Sequence, residues 1–412
     1  MALFVIKDVL SFYLPVVLAA VGALLAVNWI YFKVLKIAKD KGIVDNPDFR
    51  KLQQEPVPIL GGIAVFFGVV TGVLAGFSCS SLFSGPALSV LGPVLCAMVI
   101  MVYVGAIDDV NGLSPRSRLV IEILTLLGLI YAGGGCVDSF HGLWNVTAFS
   151  WWLGVPLTVF AGVGIINAVN MIDGVNGLSS GLCITYCLMF GFVFCLVDDL
   201  PNAILAFAMA TALLPFLVHN VFGRRSRMLI GDAGTMMMGI LMAWFTICVL
   251  RSDSPFARIA EPRQISLIAM TLAILSVPVF DTLRVMGRRI MQGKSPFMPD
   301  KNHLHHLFIR LGVSHSITSL TEILLDILIV GVWAVSVLLH ASLAWQLYLV
   351  IIASVVLVWG TARLFGAPEE CQSRFVRRVA EFSPKTHLAD AVWWRRFQRW
   401  LDAPEKHYAD HN

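Results

Sequence analysis

The sequence predicts an all-α polytopic membrane protein, on three observations: its composition, a series of apolar runs of span length, and a one-sided distribution of basic residues. Of 412 residues, 58% are hydrophobic and only 14% charged, with a mean hydropathy of +0.79, whereas an ordinary soluble chain carries about a quarter charged residues. A bilayer-crossing helix needs about 17–25 largely apolar residues. Such runs fall near 11–33, 58–79, 87–107, 119–135 and 151–170, then near 179–197, 202–222, 233–250, 264–284, 319–340 and 343–362. We count eleven, which puts the two termini on opposite sides of the membrane. With the amino terminus periplasmic, only Lys7, Arg251, Arg258 and Arg263 of the thirty Lys and Arg lie in outer segments, as the positive-inside rule requires. The carboxyl terminus and every polar motif described below then face the cytoplasm.

The first run lacks a small-residue cleavage site and exceeds a secretory h-region, so it reads as a retained span. Residues 1–362 form the integral membrane domain and 363–412 a cytoplasmic tail. In that tail Phe375, Trp393, Trp394, Phe397 and Trp400 interleave with Arg377, Arg378, Arg395, Arg396 and Arg399. The pattern suits an interfacial helix in the headgroup layer of an anionic membrane, with a solvated helix as the other reading. Most of the eight cysteines lie inside apolar spans, Cys371 lies in the tail, and no CxxC pair occurs, so small-side-chain packing is the better reading over disulfides. A net charge of +4 is accounted for by the inner loops and gives nucleic-acid binding no support.

The stretch AGVGIINAVNMIDGVNGLSSG at 161–181 sets Asn167, Asn170 and Asp173 at three-residue intervals where an apolar segment ends. That spacing brings amide and carboxylate oxygens to one face of a helix end. Polar groups at a membrane boundary are expensive to hold and point to function. GAIDD at 105–109 ends another span with Asp108 beside Asp109, adjacent like charges that repel unless a cation or a shared proton relieves them. Arg116 and Arg118 follow. GDAG at 231–234 places Asp232 after Arg224, Arg225 and Arg227, where helix-start N–H groups favour phosphate and the carboxylate suits Mg²⁺; simple N-capping is the rival account. Together these motifs read as a metal and phosphate site at one membrane face.

The fourth element is the loop GRRIMQGKSPFMPDKNHLHHLFIRLG at 287–312, with Arg288, Arg289, Lys294, Lys301, His303, His305 and His306. Cations and imidazoles suit a diphosphate and its developing charge. Zinc is the weaker reading, because Asp300 is the only nearby acid and no thiolate completes a zinc set. Ahead of this loop, Pro278 is followed by Asp281 and Arg284, a pattern for a helix that bends and opens a side groove to lipid.

These elements, with PILGGIAV at 58–65, resemble the polyprenyl-phosphate N-acetylhexosamine-1-phosphate transferases over roughly residues 40–315. The resemblance implies transfer of a sugar 1-phosphate from a UDP-N-acetylhexosamine to undecaprenyl phosphate in a bacterial inner membrane, with release of UMP. It implies Mg²⁺ held by Asn170 and Asp232, with Mn²⁺ as a substitute, and Asp108 and Asp109 on the lipid-phosphate side. Asp173, Gly174 and Asn176 fall at the family's nucleotide pocket, and His303, His305 and His306 at the diphosphate and sugar. Asn167, Arg118 and Lys301 join them as substrate-binding candidates, with Arg118 standing where many members have lysine. HLHH resembles the pattern of the GlcNAc-type enzymes, which makes UDP-GlcNAc the leading donor; a phospho-MurNAc-pentapeptide or other HexNAc donor is the alternative. The family also implies a homodimer. A transporter, the reading from another class, fits less well, since no internal repeat appears and the acids gather at one face.

Overall fold

The computed structural model describes residues 2–45, 56–78, 85–296, 301–367, 373–374, 376–378 and 392–403. Asp300, Phe375 and Cys371 lie outside the described residues. The chain runs as a long α1 (Ala2–Asp40), a short antiparallel pair β1 (Val44–Asp45) and β2 (Val57–Pro58), then α2 (Gly61–Ser78), α3 (Gly85–Asn111) and α4 (Pro115–Gly133). There follow α5 (Trp151–Met171), α6 (Leu178–Leu196), α7 (Leu200–Phe222), α8 (Gly231–Leu250), α9 (Pro255–Arg263), α10 (Leu267–Ile274), α11 (Ser276–Met291) and α12 (Leu304–Arg310). The chain continues through α13 (His315–Leu338) and α14 (Leu343–Ser354), extended by a π-helical turn, Val355–Trp359, into α15 (Gly360–Phe365), and the described residues end near α16 (Val392–Leu401).

Among the described residues, nine helices are long and apolar enough to cross a membrane, or ten if the bent pair α10–α11 is one span. The sequence count of eleven is therefore too high by this measure. The run near 119–135 does form a helix, α4, but Arg116, Arg118 and Glu122 stand in its first half and keep it from qualifying as an apolar span. Ser114 caps α4 by accepting from Ser117 N–H, Pro115 opens it, and Gly134 at φ 75° closes it.

The expected bend is present, with α10 and α11 meeting at 78°. The break comes at Leu275, ahead of Pro278, because the proline sits in the first turn of α11, where its missing N–H costs nothing, while its ring opposes a helical approach from residue 274. Asp326 of α13 serves the new helix start: its Oδ1 accepts from Ser276 Oγ (3.0 Å) and Val277 N–H (3.2 Å). A wide cavity of about 1120 Å³ flanks α11, with Arg284, Arg288 and Arg310 on one side and Val356, Leu357 and Trp359 on the other.

At the centre is α8, whose span is wholly enclosed by neighbours that include α2, α3 and α5. Small residues set this packing. A Cβ on Gly105 of α3 would meet the backbone of Asp232 and Ala233, and one on Gly62 of α2 would meet the backbone of Ala233 and Gly234, all inside 3.0 Å. PILGG reaches the same place by hydrogen bonds, since Leu229 N–H donates to Pro58 O (2.7 Å) and Gly61 N–H to Leu229 O (2.9 Å). Two separate sequence motifs, PILGG and GAIDD, thus converge on a third, GDAG, in the first turn of α8.

Candidate active site

The end of α3 and the start of α8 make the floor of the site. Asp109 accepts from the backbone N–H of Asp232 through Oδ1 (2.8 Å) and from that of Ala233 through Oδ2 (3.2 Å). It therefore caps α8 from a different helix, using the donors that an α-helix leaves unpaired at its start. Gly231 turns into that helix at φ 70°, and a Cβ there would fall 2.5 Å from Asp109 Oδ2. With Asp109 in the capping position, the side chain of Asp232 is free of capping duty and turns outward.

Asp232 Oδ1 accepts from Asn170 Nδ2 at 2.5 Å, and Asn170 Nδ2 also reaches Thr235 Oγ1 at 2.7 Å. These hydrogen bonds use the amide nitrogen, which leaves Asn170 Oδ1 for a ligand. Arg118 ties the acids together: its Nε donates to Glu122 Oε1 (3.1 Å), and its Nη1 lies 3.4 Å from Asp108 Oδ2 and 3.9 Å from Asp232 Oδ1. Glu122 is fully buried and also accepts from Asn167 Nδ2 at 2.6 Å. Asp108 further accepts from Leu113 N–H at 2.6 Å, which fixes the turn into α4. A lysine has one nitrogen where Arg118 uses two, so Arg118→Lys is expected to lower kcat/KM by about tenfold or more, the worth of a charge-assisted hydrogen bond. Steady-state kinetics on the folded variant check this; unchanged kcat/KM would remove the bridging role.

The turn between α5 and α6 supplies a wall. Asp173 Oδ1 accepts from Ser179 Oγ at 2.7 Å. Asp173 is exposed to the cavity it lines, and desolvation by the protein around that cavity raises its pKa to about 7. The Ser179 hydrogen bond opposes that rise, and the charges of Asp232 and Asp45 add to it. Asn176 is held from α13, its N–H donating to His315 Nδ1 (3.2 Å) and its carbonyl accepting from Ser319 Oγ (2.9 Å). Gly177 N–H donates to Asn220 Oδ1 (2.8 Å), and Asn220 Nδ2 donates to Met228 O (2.8 Å), so one side chain joins this wall to the segment leading into Gly231.

The histidines occupy different positions. His303 Nδ1 is 2.8 Å from Asp281 Oδ2, which also accepts from Leu304 N–H (3.2 Å), while Arg284 holds the other oxygen at 2.6 Å. Asp281 thereby fixes the start of α12. His305 is buried against Gly174, where a Cβ would fall 2.7 Å from His305 Nε2, so a side chain at 174 would displace the ring. Burial, and then the neighbouring His306 and His303, hold the His305 pKa well below the ordinary imidazole range, so the ring is neutral. His305 Nδ1 has no hydrogen-bond partner among the described residues. His306 reaches the cavity.

That cavity has a volume of about 420 Å³, and Asp108, Asp109, Asp173, Gly174, Asn176, Asp232 and His306 of the sequence candidates line it. Asn170 stands behind Asp232, and Arg118 behind Asp108. Asn167 pairs with Glu122, His303 with Asp281, and His305 packs under Gly174, so these three support the lining from outside it. Lys301 is exposed, is not among the lining residues, and its carbonyl accepts from Arg310 Nη2 at 3.1 Å. Asp45, Asn220 and His315 line the cavity without having been singled out from sequence. Each lies outside the motifs singled out from sequence.

Among the described residues, no group of three His, Cys, Asp or Glu is placed to hold a metal by itself. The donors that do converge, Asp232 with Asn170 beside it and Asp108, Asp109 and Asp173 around the same cavity, present oxygen atoms. An oxygen set with one or two carboxylates fits Mg²⁺, which takes the rest of its shell from water and substrate phosphates.

Residues 91–250 match the family described as glycosyl transferase family 4. The undecaprenyl-phosphate alpha-N-acetylglucosaminyl 1-phosphate transferase of Escherichia coli (strain K12) is 32% identical over 290 residues, covering 68% of this chain and 73% of that protein. The protein of the same name from Yersinia pestis is 31% identical over 287 residues, with the same coverage of each chain, 68% and 73%. A probable undecaprenyl-phosphate N-acetylglucosaminyl 1-phosphate transferase of Bacillus subtilis (strain 168) is 28% identical over 357 residues, or 86% of this chain and 93% of that one. With the motifs packed around one cavity in a multi-pass helical bundle and relatives of this extent, the chain belongs to glycosyl transferase family 4.

Proposed function

We propose that the protein transfers N-acetylglucosamine 1-phosphate from UDP-N-acetylglucosamine to undecaprenyl phosphate, releasing UMP and leaving a lipid-linked diphosphate sugar that starts a cell-envelope polysaccharide. The observation that carries this reading is that Asp108, Asp109, Asp173, Asp232 and His306 line one and the same cavity. The donor and acceptor come from the names of the relatives, and the HLHH pattern favours the GlcNAc donor. The site faces the cytoplasm of a bacterial inner membrane under this reading.

An oxygen of the acceptor phosphate attacks the phosphorus that carries the sugar, and the bond from that phosphorus to the bridging oxygen breaks. UMP leaves with the electrons of that bond, one diphosphate linkage replaces another, and no water is consumed. Phosphoryl transfer of this kind asks a protein mainly for positioning and charge stabilisation. Asn170 and Asp232 would hold Mg²⁺, or Mn²⁺ in its place, which when bound offsets the charge of the donor diphosphate. Asp108 and Asp109 lie on the acceptor side, Asp109 oriented by its two backbone donors. Asp173, Gly174 and Asn176 take the nucleotide, and His306 approaches the diphosphate, its helix set in place by the contacts of His303 and His305. The acceptor enters from the lipid beside the bent span α10–α11.

The ionised form of Asp173 is the one that accepts hydrogen bonds from a nucleotide, so kcat/KM falls as pH drops through about 7, the value of the free site. Ser179→Ala removes a hydrogen bond that lowers this pKa, and the acid limb of the pH profile moves to higher pH. A limb that stays in place in Ser179→Ala would detach it from Asp173.

Donor choice is tested with purified protein, undecaprenyl phosphate and Mg²⁺ in separate reactions with UDP-GlcNAc, UDP-GalNAc and UDP-MurNAc-pentapeptide. Turnover with UDP-GlcNAc, abolished by EDTA, is the expected result. Turnover with another donor alone moves the protein to a different branch, and turnover insensitive to chelation removes the metal from the account.

A further inference from the structure

The described residues near the carboxyl end form a helix that sorts its side chains into two faces. On one face of α16, Phe222 makes edge contacts with Trp394 (5.7 Å between centroids) and Phe397 (6.1 Å), Gln398 Nε2 donates to Phe222 O (3.1 Å), and Leu401 is buried. Just past the helix, buried Asp402 accepts from the backbone N–H groups of Arg224 (3.3 Å), Arg225 (3.1 Å) and Ser226 (3.0 Å), and from Ser226 Oγ (2.6 Å). Three successive backbone donors closing on one carboxylate make a strong, directional latch. The latched loop runs directly into Leu229, Ile230, Gly231 and Asp232, which line the cavity.

The opposite face carries Trp393 and Trp400, 60% and 69% exposed, with exposed Arg395, Arg396 and Arg399 between and beside them. At 100° per residue, Trp393, Arg396 and Trp400 follow one another up a single stripe. The stripe contains no acid. Two indole rings this exposed are costly against water but suited to a headgroup layer, where an amphipathic ring has an apolar side and a wet side. The helix also sits where a bilayer surface must be, because Phe222, its docking residue, ends the membrane-spanning α7. Cations interleaved with indoles at that depth complement phosphate headgroups carrying net negative charge.

We propose that α16 docks on an anionic phospholipid surface through Trp393, Trp400, Arg395, Arg396 and Arg399, and that Asp402 latches this contact to the loop entering Gly231 and Asp232. The proposal stands apart from the choice of donor and acceptor. It makes the lipid composition of the leaflet on the cavity side a variable that the site's entry loop senses.

The test is hydrogen exchange on the full-length protein in nanodiscs of phosphatidylcholine alone or of phosphatidylcholine mixed with phosphatidylglycerol. At low salt, amides of 393–401 exchange about tenfold more slowly in the phosphatidylglycerol discs, and the difference shrinks at high salt. It is lost in the triple variant Arg395→Gln, Arg396→Gln, Arg399→Gln and weakened in Trp393→Ala, Trp400→Ala. Equal exchange in both lipids overturns the proposal, as does slowing that survives the triple variant, which would place the lipid contact on residues other than these arginines. Asp402→Asn speeds exchange of the 224–226 amides; unchanged protection there overturns the latch.

Discussion

Asp232→Ala is expected to lower turnover by about a thousandfold, the several kcal/mol that a correctly held divalent ion contributes to a phosphoryl transition state. The substitution removes the outward-facing carboxylate while leaving the capping of α8 in place, because the cap comes from Asp109 through backbone atoms that alanine keeps. The variant therefore folds, and its thermal unfolding in detergent stays close to that of the parent. Affinity for the metal, followed by Mn²⁺ binding, falls together with turnover. Near-parental turnover in Asp232→Ala would mean that the group on which the other motifs converge takes no part in the reaction.

Gly105→Ala should fail in the opposite manner, through structure. The new Cβ would lie inside 3.0 Å of the backbone nitrogen and Cα of Ala233 and the carbonyl carbon of Asp232, and none of these atoms can swing aside. Relief requires α3 and α8 to separate at the turn that carries Asp109 and Asp232. Overpacking of this kind costs about 1–3 kcal/mol. A displacement near 1 Å in a reaction centre costs roughly a hundredfold in rate. Gly128→Ala and Gly164→Ala provide the control, since a Cβ at either position meets nothing within 4 Å. Both should keep parental stability and turnover. Gly105→Ala behaving like them would show that the close approach of these two helices is not needed for the site.

The contrast between these variants explains how far the sequence alone carries. Span positions were legible because burial in lipid demands long apolar runs, and each run near a predicted position is helical. The count was harder, since α4 combines span length with the charges of Arg116, Arg118 and Glu122, and hydropathy cannot say that two of these are consumed in a network with Asp108 and Asn167. Pro278 announced a bend, but its place at Leu275 depends on Asp326, fifty residues away from Ser276 in sequence, which caps the resumed helix.

Motif residues were legible as a set and not as individuals. Adjacent Asp108 and Asp109 look alike in the sequence, yet one fixes a local turn through Leu113 while the other caps a helix 123 residues later. The HLHH triplet likewise divides: His306 lines the cavity, His305 is sealed under Gly174, and His303 is held by Asp281. Asp281 itself was visible only as a charge after a proline. Asn220, beside His219 near the end of α7, and His315, at the start of α13, belong to no motif and acquire meaning only when a distant turn, here residues 176–177, comes within hydrogen-bonding distance.

The reaction proposed for this cavity moves a sugar together with its phosphate. Purified protein is incubated with undecaprenyl phosphate, Mg²⁺ and UDP-GlcNAc labelled with ³²P at the phosphorus attached to the sugar. The label is expected to pass into the lipid fraction in step with the release of unlabelled UMP, and Asp232→Ala to abolish both. Release of labelled UDP, with the lipid fraction carrying the sugar but no label, would contradict the proposed reaction.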